Sequence, residues 1–201
     1  LKFETLTDMI KVIKDNNLDG GIAFDGDGDR AFIVDETGVV VPGNVMLAMM
    51  SDYFLDRFPG SSITYDLRSS HAVPELIASK GGTPVRTKVG HSFIKQIMRE
   101  TNAPFGGEIS GHFYFRDNYF ADSGLIAAVI GLYVAGLSGK SLSELREYYT
   151  KYAGIPETNF EVSDKAAVFV RLKEKYADKP QDELDGLTID LGNGAWFNVR
   201  P

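Results

Sequence analysis

Residues 61–86 read SSITYDLRSSHAVPELIASKGGTPVR and predict a strand, a helix and a second strand in succession. β-branched residues favour a strand at each end, and the apolar spacing between them favours a helix. The same alternation continues on both sides. The predicted elements are helices over Asn44–Phe58, His71–Ser79 and Ser92–Glu100, and strands over Ser62–Tyr65, Thr83–Arg86 and Pro104–Gly106. This order is typical of an α/β fold, so we predict a mixed, mostly parallel sheet flanked by helices.

The composition limits the class of protein. The chain has 201 residues, no cysteine, 43% apolar residues and a net charge of −7, enough to form one large domain or two ordinary ones. The acidic balance disfavours nucleic acid as a partner. No apolar run reaches membrane-spanning length and no signal peptide opens the sequence, so we expect no membrane partner. Cysteine-free chains fit the reducing cytoplasm, which is the expected compartment.

Further elements lie on both sides of the alternating region. They are helices over residues 6–14, Asp122–Leu137, Ser141–Tyr152 and Asp164–Ala177, and strands over Gly21–Phe24, Ala31–Asp35, Asn159–Val162, Leu187–Leu191 and Ala195–Val199, with a further apolar run over Val39–Val41. Proline and glycine near residues 42 and 154 mark boundaries and divide the chain into residues 1–41, 42–153 and 154–201. Both ends fall within apolar sequence, so we expect a piece of a longer protein.

The loop after Gly21–Phe24 places Asp25, Asp27 and Asp29 within five residues. Three carboxylates this close repel one another unless a cation takes oxygen ligands from all of them. A solvated acidic turn and an EF-hand are the alternatives. We reject the EF-hand because its sixth position requires glycine, which here is Arg30, and because strands rather than helices flank the loop. The spacing therefore indicates a site for a hard divalent cation.

Arg30 follows the aspartates and has two interpretations. It could simply neutralise them, which would make a metal ion unnecessary. It could instead bind a phosphate held across the metal, because the planar guanidinium suits phosphate oxygens. Mg²⁺ usually combines a few carboxylates with a substrate phosphate, so we favour the second interpretation.

A second polar group contains Glu108, Ser110 and His112, spaced by two. In an extended segment this spacing would place all three side chains on one face, where they suit the hydroxyls of a sugar. A polar edge strand with a helix cap explains the pattern equally well.

A third group precedes a predicted helix. Gly90 and Lys88 lie where backbone N–H groups and a cation could receive an anion. His91 could act as an acid or base near neutral pH, although a histidine at a helix start often serves as a cap. Arg68 follows a strand and could contact an anion or simply lie at the surface.

Taken together and in order, three motifs resemble the α-D-phosphohexomutases, most closely the bacterial phosphomannomutase/phosphoglucomutase branch. The motifs are Asp25–Arg30, Lys88–Ser92 and Gly107–His112. The resemblance covers nearly the whole chain. It implies a four-domain enzyme. Residues 1–41 would then be the end of the metal-binding second domain, residues 42–153 the whole sugar-binding third domain, and residues 154–201 the beginning of the fourth domain. The missing domains of the same polypeptide would then be its partners.

The resemblance also implies roles for individual residues. They are Mg²⁺ ligands at Asp25, Asp27 and Asp29, catalytic roles for Arg30 and His91, and substrate contacts from Glu108, Ser110, His112, Lys88, Arg68 and Arg200. The last of these, with Pro201, would open a phosphate-binding loop. The fourth metal ligand would be a phosphoserine.

The implied reaction interconverts hexose 6-phosphates and 1-phosphates of mannose or glucose through the phosphoserine and a hexose 1,6-bisphosphate. Ile109 in the sugar motif fits the mannose/glucose branch. The chain departs from the family pattern because it lacks the catalytic serine loop, so we expect it to be inactive alone. Phosphoglucosamine mutase and a non-catalytic metal- and sugar-phosphate-binding module are the alternatives.

Overall fold

The computed structural model describes residues 3–201, which form two compact units, one ending at Tyr152 and the other beginning at Ala153. The first two residues of the predicted segment 1–41 lie outside the described residues. The first unit contains both the aspartate loop and the α/β layer. The division of the chain into segments 1–41, 42–153 and 154–201 stays a prediction.

A helix and an antiparallel hairpin carry the aspartate loop. After a 3₁₀ turn over Phe3–Leu6, the elements are α1 (Thr7–Asn16), β1 (Gly20–Phe24) and β2 (Ala31–Asp35). Leu6, Ile13 and Val34 are buried together and attach the helix to the hairpin. Residues 25–30 therefore join two paired strands, as predicted. The predicted apolar run after them forms only an isolated bridge, from Val40 to β2.

A five-stranded mixed sheet forms the centre of the first unit. Its strands are β3 (Ser62–Asp66), β4 (Thr83–Thr87), β5 (Phe105–Gly107), β6 (Phe113–Phe115) and β7 (Ala121–Asp122), in the order β4-β3-β5-β6-β7. Strand β3 pairs in parallel with β4 and β5, while β5–β6 and β6–β7 are antiparallel. The predicted α/β class with a mixed sheet is confirmed. The alternating pattern did not predict the antiparallel strands β6 and β7.

Five further helices belong to the first unit: α2 (Gly43–Arg57), α3 (Ala72–Ser79), α4 (His91–Thr101), α5 (Gly124–Ser138) and α6 (Leu142–Tyr149). Helices α2, α3 and α4 pack against the sheet, whereas α5 and α6 pack against α2 and β2. All five were predicted, to within a few residues at each end. Helix α2 is central, because its segment Val45–Ser51 is buried throughout. The ring of Phe54 on α2 stacks on Phe105 of β5 with centroids 4.9 Å apart. Helix α6 starts with a capping box of Ser141 and Glu144.

An ion pair holds the hairpin against α6. The carboxylate of Asp35, at the end of β2, is fully buried and accepts a 2.8 Å hydrogen bond from Arg146 Nε. It also accepts bonds from the side chain of Thr37 and the backbone of Val39. Burial raises the pKa of Asp35, but these donors outweigh burial and the net pKa lies below its usual range. The hairpin carrying the aspartate loop is thus fixed to the α/β layer.

The second unit is small. It contains α7 (Lys165–Lys175), capped by Asp164, and an antiparallel sheet of β8 (Gln181–Asp182), β9 (Leu187–Gly192) and β10 (Ala195–Val199). The predicted strand over Asn159–Val162 is wrong, because this exposed segment has no pairing partner within the described chain and forms no regular structure. Leu187 and Ile189 supply the fully buried apolar side chains of the second unit.

Within residues 3–201, no single helix has both the length and the apolar character needed to cross a membrane. Helices α5 and α6 meet this requirement only as a pair, and they are bent by 93° relative to each other.

Candidate functional site

The loop between β1 and β2 brings three carboxylates together. Oxygen atoms of Asp25, Asp27 and Asp29 lie within 4.8 Å of one another. Gly28 has φ of +75°, a conformation that glycine adopts without strain, and this lets the chain curl between the second and third aspartates. Asp27 is exposed, whereas its two neighbours are partly buried. The loop therefore presents several oxygen ligands to one point.

Arg30 is bound to the first of these aspartates. Its Nε donates a 2.5 Å hydrogen bond to Asp25 Oδ2, and its backbone N–H donates to Oδ1 at 3.2 Å. Burial raises the pKa of Asp25, but the hydrogen bonds and charge of Arg30 lower it by more. The guanidinium thus hydrogen-bonds to one carboxylate of the three, and its Nε also lies 4.0 Å from Asp29 Oδ1. One cation cannot balance three carboxylates, and a phosphate contact from Arg30 stays a prediction.

One buried oxygen of the loop accepts no hydrogen bond. This oxygen is Asp29 Oδ1, which has no hydrogen-bond donor among residues 3–201. Arg30 Nε lies 4.0 Å from it and His112 Nδ1 lies 3.8 Å from it, both too far for a hydrogen bond. A buried carboxylate oxygen without a hydrogen-bond donor is costly, and a bound cation would remove that cost. The three aspartates therefore fit a hard divalent cation such as Mg²⁺.

The segment 108–112 is a turn, so the condition under which a spacing of two places all three side chains on one face is not met. The backbone N–H of Glu108 donates to the carbonyl of His112 at 2.8 Å, and that of Gly111 donates to the carbonyl of Glu108 at 3.1 Å. Gly111 has φ of +98°, which reverses the chain between β5 and β6. Ser110 lies at this turn and is partly buried. Sugar contacts from these side chains stay a prediction.

Glu108 links this turn to the start of α4. Its side chain is only 2% exposed; Oε1 accepts a 2.8 Å hydrogen bond from the backbone N–H of Gly90, and Oε2 accepts one from the Tyr114 hydroxyl at 2.9 Å. Burial, together with the adjacent negative charge, raises the pKa of Tyr114, which keeps that hydroxyl a donor. The second and third motifs are thus one hydrogen-bonded unit.

The two histidines of these motifs meet at a carboxylate. His91 and His112 have ring centroids 5.6 Å apart. Asp122 Oδ2 lies 3.0 Å from His112 Nδ1 and 4.0 Å from His91 Nδ1, while Oδ1 accepts a 2.8 Å bond from Lys95 Nζ. Burial raises the pKa of Asp122, but Lys95 and His112 help to lower it below its usual range. A buried negative charge therefore lies between the histidine motifs.

Backbone packing brings the aspartate loop next to the cluster of His91, His112 and Asp122. Arg30 forms an isolated antiparallel bridge with His112. At Gly124, the first residue of α5, an added Cβ would lie 2.7 Å from the carbonyl oxygens of both Gly28 and Arg30. At Gly43, the first residue of α2, it would lie 2.1 Å from the carbonyl oxygen of Ile109. Glycine at these helix starts allows the loops to approach so closely.

The predicted basic contacts differ in their surroundings. Asp66, fully buried, accepts a 3.0 Å hydrogen bond from Arg68 Nη2 and another from the backbone N–H of Ile109 at 3.0 Å. Arg68 thus shares a carboxylate with the turn over residues 108–112. Lys88 is exposed, with Nζ 5.6 Å from the ring centroid of Phe93. Substrate contacts from these two side chains stay predictions.

Arg200 belongs to the second unit. Its guanidinium nitrogens lie 3.6 Å from a carboxylate oxygen of Glu157 and 3.8 Å from one of Asp185. Its predicted phosphate contact stays a prediction.

Four residues of the site escaped the sequence analysis: Asp66, Lys95, Tyr114 and Asp122. Two of them carried a usable signal. Lys95 follows His91 by four residues and so lies on the same face of the helix. Tyr114, in strand β6, follows His112 by two residues, and residues two apart along a strand point to the same side. Asp122 could not be found this way, because β7 reaches the site only through the antiparallel pairing that the alternation did not predict.

Comparison with known proteins identifies similar chains. The family profile described as phosphoglucomutase/phosphomannomutase, alpha/beta/alpha domain III, matches residues 42–152. A phosphomannomutase of Methanocaldococcus jannaschii is 43% identical over 201 residues, which cover 100% of this chain and 44% of the relative. The chain therefore spans less than half the length of this curated relative.

Solved structures agree with this similarity. A phosphoglucomutase/phosphomannomutase family protein from Burkholderia thailandensis is 31% identical, with a TM-score of 0.82 over 94% of this chain and 41% of that protein. An Aspergillus fumigatus N-acetylphosphoglucosamine mutase, solved with GlcNAc-6P and magnesium, is 14% identical, with a TM-score of 0.56 over 65% of this chain and 33% of that protein. At 14% identity, this second likeness shows the fold alone.

Proposed function

Because this chain belongs to the phosphoglucomutase/phosphomannomutase family, we propose that it forms the metal-binding and sugar-binding parts of a phosphohexomutase. The proposed enzyme interconverts the 6-phosphates and 1-phosphates of mannose or glucose through a phosphoserine and a hexose 1,6-bisphosphate. In this proposal the phosphoserine comes from another part of the same polypeptide. That assignment fits a chain that spans 44% of the M. jannaschii relative.

The observation that carries this proposal is the convergence of three separate loops. We call the turn over residues 108–112 the sugar turn. His112 Nδ1 in this turn lies 3.8 Å from Asp29 Oδ1, and this contact joins the sugar turn to the aspartate loop. Glu108 joins the same turn to Gly90 at the start of α4. A sugar phosphate needs both a cation near its phosphate and polar side chains near its hydroxyls, and this cluster offers both.

In the proposed reaction, Asp25, Asp27 and Asp29 hold Mg²⁺. When bound, the ion offsets the negative charge of the phosphoryl group being transferred. Arg30 supplies a second positive charge beside the ion.

The remaining side chains bind and orient the sugar phosphate. Ser110 and His112 contact sugar hydroxyls. Glu108 holds the turn that presents these two side chains, and a free lone pair on its carboxylate accepts a hydrogen bond from a sugar hydroxyl. Lys88 contacts a phosphate, as does Arg68. His91, whose side chain is 62% exposed, accepts a proton from the attacking hydroxyl.

The preferred hexose is mannose or glucose in this proposal. Its main support is the 43% identity to a protein named a phosphomannomutase. Phosphoglucosamine mutase and a non-catalytic binding module are the competing functions. The cytoplasm as compartment, and the expectation of neither nucleic acid nor membrane as partner, stay predictions.

A coupled assay tests the proposed function. The polypeptide that carries this chain is supplied with Mg²⁺ and with the 1-phosphates of mannose, glucose or glucosamine, and formation of 6-phosphate is followed. We expect turnover of the first two and a loss of at least about 100-fold in Asp27→Asn, since one metal ligand is removed. Asp178→Asn, at a side chain that is 74% exposed, is the matched control. Turnover of the glucosamine compound alone would favour phosphoglucosamine mutase, and absence of turnover would leave the binding module.

A further inference from the structure

We propose that His91, His112 and Asp122 form a second cation site, separate from the aspartate loop and suited to Zn²⁺ and similar ions. Ligand atoms of these three residues lie within 4.8 Å of one another. They come from three different elements: the start of α4, the sugar turn and strand β7. The set of two imidazoles and one carboxylate is a common metal-binding combination in proteins.

The two oxygens of Asp122 have different partners, and this arrangement leaves one available. Lys95 Nζ is held at 2.8 Å by Oδ1. Oδ2 faces both rings, at 3.0 Å from His112 Nδ1 and 4.0 Å from His91 Nδ1. Lys95 therefore fixes the orientation of the carboxylate, as outer-shell partners of metal ligands do, without covering the oxygen that would bind the ion.

The ligand set is close to the spacing a metal ion requires. Zn–N and Zn–O bonds of roughly 2.0–2.1 Å in a tetrahedral site place ligand atoms roughly 3.3 Å apart. The Asp122–His112 distance of 3.0 Å is already near this value. The Asp122–His91 distance of 4.0 Å must shorten, and the 62% exposure of the His91 side chain leaves that ring room to rotate.

The chemistry of the ligands separates the two sites. The loop of Asp25, Asp27 and Asp29 offers only oxygen ligands, which suit Mg²⁺. Imidazole nitrogens favour Zn²⁺ and related ions and bind Mg²⁺ poorly. Binding at the second site breaks the hydrogen bond between His112 Nδ1 and Asp122 Oδ2. The neutral His112 ring then carries its proton on Nε2, which leaves the Nδ1 lone pair for the ion. Asp29 Oδ1, buried without a hydrogen bond and 3.8 Å from His112 Nδ1, adds negative charge on the side nearest the loop.

A consequence follows if the proposed function is correct. An ion held by both histidines would prevent His91 from taking a proton and His112 from contacting sugar hydroxyls. Zn²⁺ would then compete with hexose phosphate. This consequence rests on the proposed function, whereas the binding itself does not.

The test is a Zn²⁺ titration of the chain against a chromophoric chelator, with excess Mg²⁺ to occupy the aspartate loop. The chain contains three histidines, so His71 provides a matched control. We expect His91→Ala to weaken Zn²⁺ binding by at least about tenfold and His71→Ala to leave it unchanged. Because His91 is exposed, its replacement should not disturb folding. Asp122→Asn should weaken binding similarly, and Co²⁺ should give visible absorption bands that His91→Ala removes.

Three results would overturn the proposal. They are no saturable Zn²⁺ binding, equal affinity in the parent chain and His91→Ala, or loss of Zn²⁺ binding in Asp27→Asn, which would place the ion in the aspartate loop. Since none of these measurements uses mutase activity, their outcome is independent of the assay of the proposed function.

Discussion

The backbone N–H of Gly90 donates a 2.8 Å hydrogen bond to the buried carboxylate of Glu108. This bond joins the start of α4 to the turn that precedes β6, two segments that are 18 residues apart. The Tyr114 hydroxyl holds the other carboxylate oxygen at 2.9 Å. A buried carboxylate needs such donors, so Glu108 fixes the position of both segments as well as being a candidate for sugar recognition.

The Glu108–Tyr114 pair should be energetically coupled. We expect Glu108→Gln and Tyr114→Phe each to lower the free energy of unfolding by about 1–3 kcal/mol, because each leaves a buried polar group with one partner fewer. The double variant should lose less than the sum, by about 1 kcal/mol, since the second change removes a group that is already unsatisfied. Urea unfolding of the four proteins measures this coupling. Additive losses would contradict a direct interaction.

Gly124 should be indispensable to the contact between α5 and the aspartate loop. Gly124→Ala places a methyl group 2.7 Å from two backbone carbonyl oxygens that cannot move without shifting the loop. We expect a loss of about 1–3 kcal/mol in stability together with weaker Mg²⁺ binding. Gly136→Ala, on the same helix and with open space around it, should instead be neutral or stabilising by up to about 1 kcal/mol. Equal effects of the two substitutions on thermal unfolding would be evidence against this packing.

Local sequence patterns predicted most of this fold. The helix and strand periods between residues 44 and 106 predicted each element there, and the predicted start of α6 at Ser141 is its N-cap residue. The strand predicted at Asn159–Val162 failed because a strand also needs a partner, and alternation of residue types cannot supply one.

The site was predictable only in part, for a similar reason. The aspartate loop is local in sequence, so its spacing alone brought Asp25, Asp27 and Asp29 together. The spacing of two in Glu108, Ser110 and His112 did not reveal the turn at 108–112, because that turn depends on the positive φ of Gly111. Asp122 reaches His112 through the β6–β7 pairing, which depends on tertiary structure.

Asp35 should make folding sensitive to acid. Its pKa is lowered in the folded state, so it contributes stability that is present above the unfolded value of about 3.9 and is lost as pH falls through the folded value. Replacing it with asparagine removes the ion pair with Arg146, and we expect Asp35→Asn to cost about 2–3 kcal/mol at neutral pH.

The measurement is the free energy of unfolding of the parent chain and Asp35→Asn as a function of pH. The difference between them should shrink as pH falls below about 4. The control is Asp15→Asn, at an exposed pair with Lys11, which should change stability by about 0.5 kcal/mol or less. If the stability difference between the parent chain and Asp35→Asn grew on acidification, the pKa of Asp35 would be raised rather than lowered by folding.

Asp27→Asn should weaken Mg²⁺ binding without destabilising the chain. Asp27 is exposed, so its replacement breaks no packing, and it removes one of three mutually repelling charges. We expect at least about tenfold weaker Mg²⁺ binding by calorimetry with unfolding unchanged to within about 0.5 kcal/mol. Unaltered Mg²⁺ affinity would remove Asp27 from the ligand set.

The most direct test of the central claim, that three loops form one Mg²⁺-dependent sugar-phosphate site, is an NMR titration of the ¹⁵N-labelled chain. Mg²⁺ should shift the amide signals of residues 25–30, and subsequent addition of glucose 1,6-bisphosphate should shift those of residues 88–92 and 108–112 together. In Asp27→Asn both responses should be reduced. Shifts that miss these loops, or that are the same in the parent chain and Asp27→Asn, would contradict the account.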